Sequence, residues 1–164
     1  MALAPQGGNF HRPQKALTMA KPSALISPSR RLWLVAVVAL VWNLLGVLSF
    51  VMTVSASAQM VEALPAAERA LHTAMPAWVK VCYGVAVFAG TLGSGLLLLR
   101  QRLARPLFLI SLVAVVLQMG HALFFSPLLK TMGASAAVMP VLVLLIATYL
   151  AWYASFAAAR GWLR

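Results

Sequence analysis

The 164 residues are 63% hydrophobic and only 9% charged, with a mean hydropathy of +0.93. A water-soluble domain carries roughly 25% charged residues, and disordered chains pair low hydrophobicity with high charge, so this composition excludes both and leaves a membrane-embedded chain. The net charge of +11 comes from thirteen Lys and Arg against two Glu. Beside apolar spans such residues orient a protein and meet anionic lipid, which makes nucleic acid an unsuitable partner.

In chain order, residues 1–29 hold prolines, scattered Ser and Gly, and Arg12, Lys15 and Lys21 without apolar periodicity. They read as a flexible basic tail, which begins at Met19 if that methionine is the true start. Residues 30–164 form the membrane domain, with four apolar spans predicted at 32–54, 77–99, 107–125 and 138–159. Each meets the roughly 20 helical residues needed to cross about 30 Å of hydrocarbon. Pro76, Pro106 and Pro140 lie at or near helix starts, where no backbone hydrogen bond is lost, and Pro127 closes the third span.

Lys and Arg are retained on the cytoplasmic side of short loops, so their distribution predicts orientation. Ten of them (Arg12, Lys15, Lys21, Arg30, Arg31, Arg100, Arg102, Arg105, Arg160 and Arg164) fall on one side of the spans. Only Arg69, Lys80 and Lys130 fall on the other, with both acids, Glu62 and Glu68. The expected fold is therefore an all-α bundle of four antiparallel transmembrane helices with both termini cytoplasmic. One rival reading treats span one as a secretory signal cleaved near Ala56-Ser57-Ala58. A signal core runs roughly 7 to 15 residues; this run is longer and carries Asn43 at its middle, which argues against cleavage. In the loop at residues 59–75, Leu64, Ala67, Leu71 and Met75 recur at helical spacing and predict a short helix lying on the membrane surface.

No Asp, Glu or Arg lies within the spans, and Lys80 sits in the first turn of the second, where it can snorkel outward. The sequence thus offers no paired carboxylates for acid–base catalysis, and the single Cys82 allows no multi-cysteine metal or redox motif. No catalytic, cofactor or metal site is expected. His72 stands four residues after Glu68, a pair better explained by a solvated helix face than by a metal, and His121 near the outer end of span three reads as interfacial.

Asn43, Gln118 and Thr148 fall near mid-depth in spans one, three and four and form a candidate polar layer with Trp42, whose indole wants an acceptor in the interior. An Asn43–Gln118 hydrogen bond between spans one and three is the expected pairing. The layer serves either as glue between helices or as the floor of a pocket for a neutral solute or lipid headgroup. Ala86, Gly90 and Ser94, with Ala89 and Gly93 beside them, supply a small-residue packing face on span two, for contact within the bundle or between subunits. Trp33 and Trp162 on one side, and Trp78, Phe124 and Phe125 on the other, suit interfacial belts.

Trp42-Asn43 with Gly46, Pro76 with Trp78, Gly90, Gly93 and Ser94 before Arg100, and Pro106-Leu107-Phe108 with Ser111-Leu112 together resemble a family of small, uncharacterised bacterial inner-membrane proteins. The likeness covers residues 32–126. It implies a four-helix, multi-pass protein of the bacterial inner membrane and brings no functional residues with it. Some relatives carry a sugar-transporter label, for which these residues offer no converging polar site. Two functions are expected in turn: an interaction or accessory subunit that binds partner helices, a second copy or lipid, and, as the alternative, a small oligomeric carrier of a neutral or weakly polar solute.

Overall fold

In hydrocarbon every backbone N–H and C=O must be satisfied within its own segment, so uninterrupted apolar runs of this length become helices. The computed structural model describes residues 30–164; the tail, His11 and Met19 lie outside them. Four helices long and apolar enough to span a membrane are present. They are α1 (Arg30–Ser55), α4 (Ala77–Leu98), α5 (Ala104–Phe124) and α7 (Val138–Ala159). Shorter helices α2 (Ala58–Glu62), α3 (Ala66–Thr73) and α6 (Leu128–Met132), with a 3₁₀ turn at Ala134–Ala137, fill the loops at one end.

The span limits agree with the expected ones to within about three residues. The largest difference is the start of α5, which begins two residues before Pro106 rather than after it. Proline is tolerated anywhere in the first turn, where N–H groups lack an intrahelical partner.

Each long helix packs on its neighbours in sequence, α1 on α4, α4 on α5 and α5 on α7, in an antiparallel run. Arg30, Arg31, Arg100, Arg102, Arg105, Arg160 and Arg164 thereby collect at one end, termed here the basic end, and the short helices occupy the distal end.

The core lies in the basic half. Leu32, Ala36, Leu97, Phe108, Ala154 and Leu163 are almost wholly buried there, and α1 and α7 meet through this cluster. Trp162 departs from its expected interfacial position: it is 8% exposed and packs edge-on against Phe156 at 5.8 Å. The cause is Gly161, whose φ of 69° is the left-handed conformation that ends helices in a Schellman turn. Trp162 N donates to the Ala157 carbonyl at 3.0 Å and the chain folds back. Residues 162–164 then pair with the α4–α5 turn. Arg102 N donates to Arg164 O at 2.9 Å, Arg164 N to Arg100 O at 2.6 Å, and the Arg100 guanidinium to Trp162 O at 3.1 Å. Arg100 closes α4 by the same turn with a φ of 60°, unusual for a residue with a Cβ; its hydrogen bond to Trp162 O holds it there.

At the distal end, Ser57 caps α2, accepting from Met60 N at 3.3 Å. The expected loop helix after Pro65 is α3, with α2 as an additional turn before it, and Leu64, Ala67, Leu71 and Met75 are all half-buried while Glu62, Glu68 and Arg69 are exposed. His72 Nε2 lies 3.2 Å from the Thr53 carbonyl oxygen, one of the acceptors left open at the end of α1. His121 meets Trp78 edge-on at 5.3 Å and stacks on Phe125 at 6.1 Å, tying α5 to the start of α4.

Candidate functional site

Asn43 is central in α1, thirteen residues from its start, and its carboxamide is turned towards α4. The Asn43 amide nitrogen donates to the Ala39 carbonyl at 2.8 Å and, at 3.4 Å, to Ser94 Oγ. Ser94 in turn donates to Gly90 O at 2.8 Å. Because a carbonyl can only accept, the bond to Ala39 O assigns the carboxamide nitrogen, and the oxygen lies against Gly90 without a hydrogen bond to it. A Cβ on Gly90 would overlap the Asn43 oxygen and stand 2.8 Å from its Cγ and 3.3 Å from Ser111 Oγ. Ser111 in α5 donates to the Ala86 carbonyl at 2.7 Å, so three helices are joined around one residue without a side chain.

This arrangement revises two expectations. The packing face of Ala86, Gly90 and Ser94 is buried within the chain, where α1 and α5 approach α4, and it offers nothing to another subunit. The expected Asn43–Gln118 bond is not formed: Asn43 lies level with Ser111 at the Gly90 junction, and Gln118 is seven residues, about 10 Å, further along α5 toward the distal end, so the carboxamide of Asn43 reaches Ser94 instead.

Beyond this junction a cavity of about 440 Å³ lies between α1, α4, α5 and α7, reaching from Phe108 and Leu150 near mid-bundle to Ser49, Tyr83 and Met139 towards the distal end. Gln118 is in its wall, 7% exposed, and makes no hydrogen bond to any described residue. It stands six residues from the distal end of α5, about 9 Å at the helical rise. Trp42 and Tyr83 also line the cavity, and neither the indole N–H nor the phenol finds a partner among the described residues. Trp42 is half-buried, at the seam between α1 and α7 rather than in the interior proper. A wholly apolar groove of about 350 Å³ runs along that seam past Leu34, Val38 and Tyr149, and it meets the cavity at Trp42, Ile146 and Leu150.

Thr148 does not belong to the layer. It is exposed on α7 and donates to the Leu144 carbonyl of its own helix at 2.8 Å. Ile146, Ala147 and Leu150 take the cavity side, and at about 100° per residue Thr148 is turned off that face. The layer of four is therefore a structural bond at Asn43, two open groups at Gln118 and Trp42, and a self-satisfied threonine.

Sequence reasoning passed over Ser111, Tyr83 and Phe108 as site residues. A signal was present: Ser111, Val115 and Gln118 recur at i, i+4 and i+7, one face of α5, and all three line the cavity. No Asp, Glu, Lys, Arg or His is in the wall, so the site has hydrogen bonds and apolar contact to offer. Among the described residues no group of three His, Cys, Asp or Glu comes together. No protein-family model, curated protein or solved structure matches the chain.

Proposed function

We propose that this multi-pass membrane protein is an accessory component of a bacterial inner membrane, with its basic end and both termini cytoplasmic, and that it binds a lipid-like molecule in the distal cavity. The observation that carries this reading is Gln118: a carboxamide on a residue 7% exposed, without a protein partner, that opens onto a cavity sized for a small ligand. An unpaired buried amide is unfavourable by about 1 to 3 kcal/mol, which a ligand's hydrogen bond would offset. The exposed faces of α1 and α7 are predominantly apolar, their hydroxyls at Thr148 and Ser55 bonded within their own helices, and suit lipid contact.

Binding is favoured over catalysis because the wall carries no acid–base pair. It is favoured over passage of a solute because Leu32, Leu97, Phe108 and Leu163 fill the basic half below the cavity. The lipid branch of the accessory role is favoured over a partner helix because the small-residue face is already occupied within the chain. Native mass spectrometry from mild detergent tests the reading. Wild-type protein is expected to retain a lipid-sized mass, and Ala147→Phe, which fills the cavity from α7, to lose it while keeping its helical signal. Wild-type protein released bare would overturn the proposal.

A further inference from the structure

Resting on that reading of the cavity, we infer that its ligand is a neutral lipid with a small uncharged oxygen head, a hydroxyl or carbonyl, seated on Gln118 with its chain running along the α1–α7 seam. Gln118 is about 9 Å inside the distal end of α5, below the level at which a phospholipid headgroup stays hydrated. A phosphate or ammonium group brought to that depth would need a counter-charge, and the wall supplies none. A neutral oxygen head has no such requirement and can reside in the hydrocarbon.

The open polar groups match such a head in kind. Gln118 presents two N–H donors and one carbonyl acceptor, Trp42 a further N–H, and Tyr83 a hydroxyl that donates or accepts. Asn43 adds no donor, because its nitrogen is committed to Ala39 and Ser94, and only its carbonyl oxygen is left as an acceptor. Donors outnumber acceptors, so an oxygen that accepts is the complementary group, and a hydroxyl can return a proton to the Gln118 carbonyl. The chain has a path as well. The seam groove contains no polar surface, adjoins the cavity with Trp42, Ile146 and Leu150 as shared walls, and lies where α1 and α7 lack the close packing found between sequence neighbours, so a rotation of the Trp42 side chain would join the two.

Trp42 lies where the two spaces adjoin and serves as the reporter. Purified protein in non-ionic detergent is titrated with a dibromo fatty alcohol and, separately, with the phosphate monoester of the same alcohol. The signal is tryptophan quenching in the wild type minus that in Trp42→Phe. The alcohol should quench saturably and the phosphate should bind at least about tenfold more weakly; Gln118→Leu should weaken the alcohol by about tenfold, the loss of one hydrogen bond. Equal binding of alcohol and phosphate, or an alcohol affinity unmoved in folded Gln118→Leu, would overturn the neutral-head inference and leave the lipid cavity standing. Absence of Trp42 quenching by either probe would overturn both. If Gln118→Leu does not fold, the wild-type ratio of alcohol to phosphate decides alone.

Discussion

The two halves of the bundle treat buried polar groups in opposite ways. Around Gly90 at mid-bundle, and from there to the basic end, helices are drawn together by hydrogen bonds from Asn43, Ser94 and Ser111 and by a backbone clasp between residues 100–102 and 162–164. In the distal half α1 still packs on α4 through Gly46 and Gly84, but a cavity opens between the four helices and leaves Gln118 and Trp42 with open hydrogen-bonding groups beside it. The basic half has two orphaned polar atoms of its own, Tyr153 Oη and Trp162 Nε1, yet both are enclosed by side chains and line neither cavity nor groove. An unmet group thus gains functional meaning from the space beside it. Two carboxamides illustrate this: Asn43 joins helices at the Gly90 junction, and Gln118, about two turns nearer the distal end, faces an opening.

The comparison breaks most readily at Gly90. Gly90→Val places a branched side chain where the Asn43 carboxamide now sits and against the Ser111 hydroxyl, and both can yield only by giving up their hydrogen bonds to Ala39, Ser94 and Ala86. Overpacking of this kind is expected to lower stability by about 3 kcal/mol, measured by denaturant titration in mixed micelles. A fully stable Gly90→Val would remove the three-helix junction from the account.

The two carboxamides sharpen the contrast next, because the same substitution should act on them with opposite sign. Asn43→Leu is expected to destabilise by about 1 to 2 kcal/mol, the range of interhelical hydrogen bonds in membranes. Gln118→Leu is expected to leave stability unchanged or to raise it by up to about 1 kcal/mol, since it removes an unpaired amide from an apolar wall. Parallel thermal melts of the two variants decide it. Destabilisation by both to the same extent would mean that Gln118 is a packing residue after all.

The smallest effect belongs to Thr148. With its hydroxyl returned to Leu144 on the exposed side of α7, Thr148→Val should alter stability by less than about 0.5 kcal/mol and should leave ligand retention in native mass spectra at the wild-type level. Loss of the retained mass would restore Thr148 to the site.

The sequence-based expectation of one polar layer was incomplete in depth and in direction: Gln118 stands seven residues beyond Ser111, the residue that shares the Gly90 junction with Asn43. Mid-span position follows from counting residues, but the side to which a residue points depends on each helix's rotation about its own axis. Hydrophobic periodicity reports that rotation poorly when lipid and core are both apolar. Asn43 and Thr148 are both mid-span, yet one is directed at Ser94 and the other away from the bundle. Trp162 illustrates a different gap. Gly161 after the last apolar residue is a recognisable stop signal, but a stop does not say where the chain goes next.

What the sequence by itself determined is the class, the four spans, their antiparallel alternation and the gathering of arginines at one end. The bilayer acts there as a demanding solvent: about 30 Å of hydrocarbon sets the length of each run and forces each to be helical. The tertiary structure alone decided that Gly90 would be occupied by the Asn43 carboxamide, that Trp162 would turn into the core, and that Gln118 would be left unpaired at a cavity. Those outcomes depend on how closely helices approach, and in a membrane that is governed by the shapes of small side chains at contact points rather than by hydrophobicity.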